Sequence, residues 1–145
     1  MYNKKFMEIV IEKSKTIKKD IPIVALIEKE GKVLSICSNQ KEKKNQTTAH
    51  AEILAIKKAE QILNNWRLND CDLYVTLEPC PMCLWAIIQA RIKNLYFGSY
   101  DTLMGGVSKF PEMTLIANSK LSIKGGIMEE ECNTILNDYL KRLRD

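Results

Sequence analysis

No apolar run in this sequence approaches the ~20 residues that a membrane-crossing helix needs. Stretches such as residues 21–27 and 84–88 are far too short, which excludes a helical membrane span. A secretory leader is not expected either. Met1-Tyr2-Asn3-Lys4-Lys5 gives way to alternating charged and apolar residues, so the expected location is the cytoplasm. Cysteine is sparse and odd in number, at five. Without an export signal, these residues read as thiols or metal ligands and not as a disulfide framework. There is no internal repeat and no low-complexity tract. Neither sign of charge dominates: 22 Lys and Arg against 18 Asp and Glu leave a formal +4, which favours an anionic partner without requiring one.

What remains is the composition of one globular domain spanning residues 1–145. A chain of that length buries about 70% of its unfolded surface and needs no disulfides to hold a core. Helical spacing of Phe6, Ile9, Val10 and Ile17 predicts a first helix over residues 2–19, ended by Pro22. Two apolar runs, 23–27 and 33–37, flank Glu30-Gly31 and predict a hairpin. Residues 38–48 read as a polar surface loop. A second helix is expected over 49–66 with Thr48 as its cap, then a strand over 72–77 and a helix over 84–92. Strands over 95–98 and 121–123 and a helix over 128–144 follow, with Gly105-Gly106 as a flexible connection. Strands alternating with helices imply a layered α/β domain with a mixed sheet.

Two short motifs carry chemistry: His50-Ala51-Glu52 and Pro79-Cys80-Pro81-Met82-Cys83. Either alone is weak, since a lone His is commonly a hydrogen-bonded surface or core residue and a lone C-x-x-C has several uses. Together they are specific. Cys80 and Cys83 are three apart at a helix start, where free N–H groups and the helix dipole favour thiolate. His50 lies at the start of another helix. Three N and S donors with a fourth position left to water make a catalytic zinc site. Cys37, Cys71 and Cys132 each stand alone and read as small buried hydrophobes. Glu52, beside a site that already has three ligands, reads as the proton carrier for a zinc-activated water.

These motifs resemble the zinc-dependent nucleobase deaminases, whose signature is H-x-E with P-C-x-x-C. Within them the chain is most similar to the bacterial tRNA-specific adenosine deaminases, over about residues 20–144. Thr48-Ala49-His50-Ala51-Glu52, Asn65-Trp66-Arg67-Leu68, the run from Leu73 to Cys80, and Arg91-Ile92 leading to Phe97-Gly98 and Asp101 carry the similarity. The resemblance implies a three-layer α/β/α cytidine-deaminase-like fold around a mixed five-stranded sheet, and a homodimer. It implies one Zn²⁺ per chain held by His50, Cys80 and Cys83, with Glu52 as proton shuttle. It further implies substrate contacts from Asn39, Ala51 and Asp101, the last toward a ribose 2′-OH. The substrate it implies is the wobble adenosine of a tRNA anticodon stem-loop, converted to inosine.

The chain departs from the family pattern at Val24 and Trp85, where glycine is usual, at Gln46-Thr47-Thr48, and in a shorter segment after Asp101. Trp85 is expected either to fill core space or to reshape the substrate channel. Lys41, Lys43 and Lys44 beside Asn39, and Lys141, Arg142 and Arg144 at the C-terminus, suit phosphate contacts. Two rival readings stand beside tRNA deamination. One is a free nucleobase or nucleoside deaminase; the other is a zinc-stabilised binding module without catalysis, against which Glu52 argues.

Overall fold

The computed structural model of the chain describes all of residues 1–145. Its strands are β1 (Val24–Lys29), β2 (Lys32–Ser38), β3 (Cys71–Leu77), β4 (Asn94–Ser99) and β5 (Ser122–Lys124). They form one sheet in the order β2-β1-β3-β4-β5. β1 runs antiparallel to both β2 and β3, whereas β3, β4 and β5 are parallel. The β1–β2 hairpin turns on Glu30 (φ 53°) and Gly31 (φ 86°). Both central residues at positive φ are what a tight two-residue turn demands. Across this hairpin Ile27 faces Ser35 and Glu28 faces Val33, so Leu34 is the extra residue of a bulge in β2.

The helices are α1 (Lys4–Ser14), α2 (Lys41–Lys44), α3 (Ala51–Leu63), α4 (Pro81–Gln89), α5 (Gly106–Lys109), α6 (Glu112–Ile116) and α7 (Glu129–Arg144). Successive strand residues point to opposite faces, and both faces are covered. Val24, Leu26, Tyr74 and Tyr96 pack with Phe6, Met7 and Val10 of α1 and Cys132 of α7. Ala25, Ile27, Leu73, Val75, Leu95 and Phe97 pack with Ala55 and Ile56 of α3 and Leu84 and Ile87 of α4. This is the three-layer α/β/α arrangement around a mixed five-stranded sheet expected from the resemblance.

Several local expectations are corrected. α1 stops at Ser14, well before Pro22. The Ser14 and Thr16 hydroxyls donate to the Ile11 and Lys13 carbonyls, a local alternative to continuing the helix. α3 begins at Ala51 with His50 as its N-cap, not at Ala49 under Thr48, and it ends at Asn64 in the left-handed region. The expected loop 38–48 holds the short helix α2. Its first N–H groups, from Glu42 and Lys43, donate to the buried Asp20 carboxylate, a cap contributed from far along the chain. Trp85 fills no core. On α4 the buried positions are 83, 84, 87 and 88, so residue 85 falls on the outer side and is 38% exposed. Cys71 and Cys132 are buried as expected, but Cys37, on edge strand β2, is only half-buried.

One carboxylate pair, with Glu28 buried and Asp72 half-buried, lies in the sheet itself. Glu28 of β1 is registered opposite Asp72 of β3. Glu28 accepts the Gly31 N–H at 2.7 Å, and Asp72 accepts the Asn94 side-chain amide at 2.7 Å. Burial first, and then the Asp72 charge, raise the Glu28 pKa, with the Gly31 bond opposing. A raised carboxyl pKa means that the folded chain binds this proton more tightly than the unfolded chain. The resulting stability is complete at acid pH and is lost as pH rises through the folded pKa. Glu28→Gln, whose amide can donate to Asp72 while its carbonyl still accepts from Gly31, should therefore stabilise the fold at pH 8. The expected gain is ~0.5 kcal/mol, or ~2 °C in Tm, shrinking to nothing near pH 4. Thermal melts at both pH values check this, and equal Tm at pH 8 would refute the account.

Candidate active site

The site is built on two helix starts. His50 (φ −76°, ψ 150°) and Cys80 (φ −69°, ψ 169°) occupy the N-cap positions of α3 and α4 with extended backbone, and neither side chain caps its helix. An N-cap is ordinarily Ser, Thr, Asp or Asn, a preference worth ~1 kcal/mol. Using His and Cys forgoes that capping bond and frees both side chains to meet each other. The Gln40 N–H, donating to the Ala49 carbonyl at 2.8 Å, holds the approach to His50. Pro81 occupies the first helical position after Cys80, where its missing N–H costs nothing. Cys83 then follows one turn along the same helix.

His50 Nδ1 lies 3.4 Å from Cys83 Sγ and 3.8 Å from Cys80 Sγ, and the donor atoms of all three residues lie within 4.8 Å of one another. Tetrahedral zinc with ordinary Zn–N and Zn–S bonds would separate a nitrogen from a sulfur by about 3.6 Å. The observed separations bracket that value, so the three residues fit the ion. Cys83 is buried while His50 and Cys80 are half-buried. The two thiols behave as one unit. Hydrogen bonding with Cys83 lowers the Cys80 pKa to about 5, against the opposing effect of burial. The same bond, then burial, pushes the Cys83 thiol far up. A divalent cation held between the two sulfurs would displace the thiol protons.

Glu52, in the first turn of α3, is 4% exposed. Burial is the main cause that raises its pKa to about 7, helped by the Cys80 charge and opposed by hydrogen bonds from its own backbone N–H and from Cys83. It does not belong to the cluster of donor atoms. A carboxyl group of that pKa beside the donors can carry a proton in either direction near neutrality.

The structure places the other candidate residues unevenly. Asn39 is buried; its backbone N–H donates to the Ile23 carbonyl and its amide to Asp20 at 3.4 Å. It lines a cleft of about 610 Å³ with Lys18, Lys19, Gln40 and Lys43. His50, Cys80 and Cys83 do not line that cleft, which adjoins the donor cluster through the Gln40–Ala49 bond. The Ala51 methyl is wholly buried in the core, so only its backbone is available for a contact. Asp101 is half-buried, and its Oδ1 accepts the Leu103 and Met104 N–H groups, which leaves its other oxygen for an outside partner.

Two supporting carboxylates escape a reading of the residues alone. Asp20 holds both Asn39 and the start of α2. Glu78, 2% exposed, accepts the Asp101 and Ser108 N–H groups and the Ser108 hydroxyl. A glutamate directly before the Pro79-Cys80 step was the one available signal for the second. Nothing in the sequence marks the first.

A sheet covered by helices on both faces, with His and paired Cys donors at two helix starts and a buried glutamate beside them, defines a nucleobase deaminase. The chain belongs to the MafB19-like deaminase family, which it matches over residues 2–144. It is similar to the tRNA-specific adenosine deaminase of Aquifex aeolicus, with 37% identity over 146 residues, covering 97% of this chain and 95% of that one. A solved structure from studies of A-to-I editing by tRNA:A34 deaminases superposes with a TM-score of 0.87 at 35% identity, covering 92% of this chain and all of that one. The guanine deaminase of Bacillus subtilis is a more partial match. Its TM-score is 0.64 at 36% identity, over 70% of this chain and 67% of that one.

Proposed function

We propose that the protein converts the wobble adenosine of a tRNA to inosine by hydrolysis, using one zinc ion held by His50, Cys80 and Cys83. The observation that carries this reading is the donor cluster with buried Glu52 beside it, in a chain similar along nearly all of its length to tRNA-specific adenosine deaminases. When bound, the zinc lowers the pKa of a coordinated water to about 7 and so supplies the nucleophile. Glu52 takes a proton from the attacking water and passes it to the ring nitrogen. It then takes the second proton, from the hydroxyl now on the ring carbon, and delivers it to the amino group as the carbon–nitrogen bond breaks, the carbonyl forms and ammonia leaves. Asn39, pinned by Asp20, presents its amide to the base edge, where Asn can donate and accept. The Ala51 backbone and the free oxygen of Asp101 complete the contacts, the latter to a ribose 2′-OH.

An RNA substrate must be unstacked, and contacts outside the pocket have to offset that cost. Lys18, Lys19 and Lys43 along the Asn39 cleft suit that task, as does Arg142, which with Lys15 and Lys18 lines a second cleft against α7. We place the protein in the cytoplasm, where its substrate would be; no helix is long and apolar enough to cross a membrane. A homodimer fits the exposed apolar side chains of Leu103, Met104, Leu115 and Ile116, with Trp85 on the outer side of α4. Light scattering should return twice the chain mass of 16.6 kDa.

The partial likeness to a guanine deaminase makes free-base turnover the second reading. The deciding experiment offers the purified protein an anticodon stem-loop, its DNA counterpart, guanine, cytosine and adenosine. Inosine should form in the RNA with KM rising about tenfold between ~50 and ~200 mM salt. Turnover of a free base with no inosine in the RNA rejects the substrate and leaves the zinc chemistry standing.

A further inference from the structure

The buried Glu78 carboxylate has no part in the chemistry described above, yet it accepts three hydrogen bonds. Its Oε1 accepts the Asp101 N–H at 3.0 Å and the Ser108 hydroxyl at 3.0 Å, and its Oε2 accepts the Ser108 N–H at 2.7 Å. The segment it binds is pressed onto the Cys80 turn. The Gly106 N–H donates to the Pro79 carbonyl at 2.8 Å, and a Cβ on Gly106 would stand 3.0 Å from that oxygen and 3.2 Å from the Cys80 carbonyl carbon. A Cβ on Gly105 would stand 2.5 Å from both the Glu78 carboxylate and the Asp101 carbonyl. Sequence reading takes Gly105-Gly106 as a flexible connection, but both residues are buried, and they are glycine because the backbone passes too close for a side chain.

From this geometry we infer that Glu78 is a positioning residue, tying the substrate-facing loop from Asp101 to Ser108 to the turn that carries Cys80. The carboxylate sits two residues from one metal ligand and grips both ends of the loop, so loop and metal site hold one fixed distance. All three partners donate, so only a group that accepts at both oxygens can hold them. Glutamine would turn its amide toward one of the donors and release that end. The loop would then have to be ordered anew at each binding event, a cost that falls on substrate binding and not on the metal or Glu52. This inference rests on the deaminase reading for its substrate, but the clamp serves any nucleobase seated against the loop.

The test compares zinc-loaded wild type with Glu78→Gln, Ser108→Ala and Gly105→Ala. Four quantities are measured: zinc content, melting temperature, kcat and KM on the anticodon stem-loop, and Kd for the inosine-containing product RNA by fluorescence anisotropy. Glu78→Gln should keep one zinc and kcat within threefold, while KM and product Kd rise about tenfold. Gly105→Ala, which drives a methyl into the same carboxylate, should reproduce that split, and Ser108→Ala should give a smaller rise. Because Ser108 acts through Glu78, the double variant should fall short of the product of the two single effects. A carboxylate that only stabilises the fold would lower the folded fraction and leave KM unchanged, and that result overturns the proposal. Loss of zinc, or unaltered KM in the two variants at Ser108 and Gly105, overturns it as well. If wild type proves to convert a free base and not RNA, the substrate reading fails separately, and the KM for that base in the same variants decides the clamp.

Discussion

Glu52→Gln should hold its zinc, fold as well as or better than wild type, and lose ~10³-fold or more in kcat. The reasoning runs through burial. The carboxyl is 4% exposed and its pKa is raised to about 7 chiefly by desolvation, so the chain is already bearing the cost of keeping an ionisable group out of water. Glutamine has nearly the same volume and no such cost, so melting temperature should stay level or climb by a degree or two. It cannot carry a proton, so both transfers assigned to Glu52 fail together. That opposition, stability kept and turnover lost, is the mark of a group retained for chemistry. Metal content of the purified variant and single-turnover inosine formation provide the check. Zinc loss in Glu52→Gln would make the glutamate a ligand and overturn its assignment.

Cys83→Ala should instead lose the metal. Cys83 is the one wholly buried member of the donor cluster, and its removal leaves two donors on separate helices where three N and S ligands are needed. Metal content should fall from about one equivalent to a tenth or less, activity should vanish, and Tm should drop because metal binding contributes directly to folding. Cys71→Ala and Cys132→Ala are the controls. Both thiols are buried but stand outside the donor cluster, so these variants should keep full metal content. A Cys83→Ala protein that retains both zinc and activity would refute the site.

Much of this site was legible in the sequence because metal chemistry depends on residue type at short spacing. His50, Glu52, Cys80 and Cys83 fall in two motifs, and the helices they begin are local structures. The strand faces were legible for a similar reason, since Val24 to Ile27 and Leu73 to Val75 must be apolar on both sides of a covered sheet. What stayed hidden depends on distant partners. His50 displaces Thr48 as the cap of α3 because the cap position is where a side chain can turn toward Cys80 and Cys83. α2 exists because Asp20, from another segment, receives its first N–H groups. Gly105 and Gly106 look like a flexible connection in a linear reading, but there the backbone passes too close to Glu78 and the Cys80 turn for a side chain. Trp85 reads equally as core filler or as a wall of the substrate channel, and only the rotation of α4, whose buried stripe falls elsewhere, removes the first.

The margins of the sheet bear on how the molecule behaves at the concentrations at which enzymes are stored and crowded. An open sheet has two borders that can template another strand, and this one is blunted at each. β5 offers three residues, Ser122–Lys124, too little for a foreign strand to pair along. β2 is interrupted at Leu34 by its bulge and opens with Lys32, so an incoming backbone meets an irregular and charged ladder. Strand addition is therefore disfavoured at both borders. Colloidal behaviour is left to side chains on the helical layers, where single substitutions can tune it without disturbing the sheet.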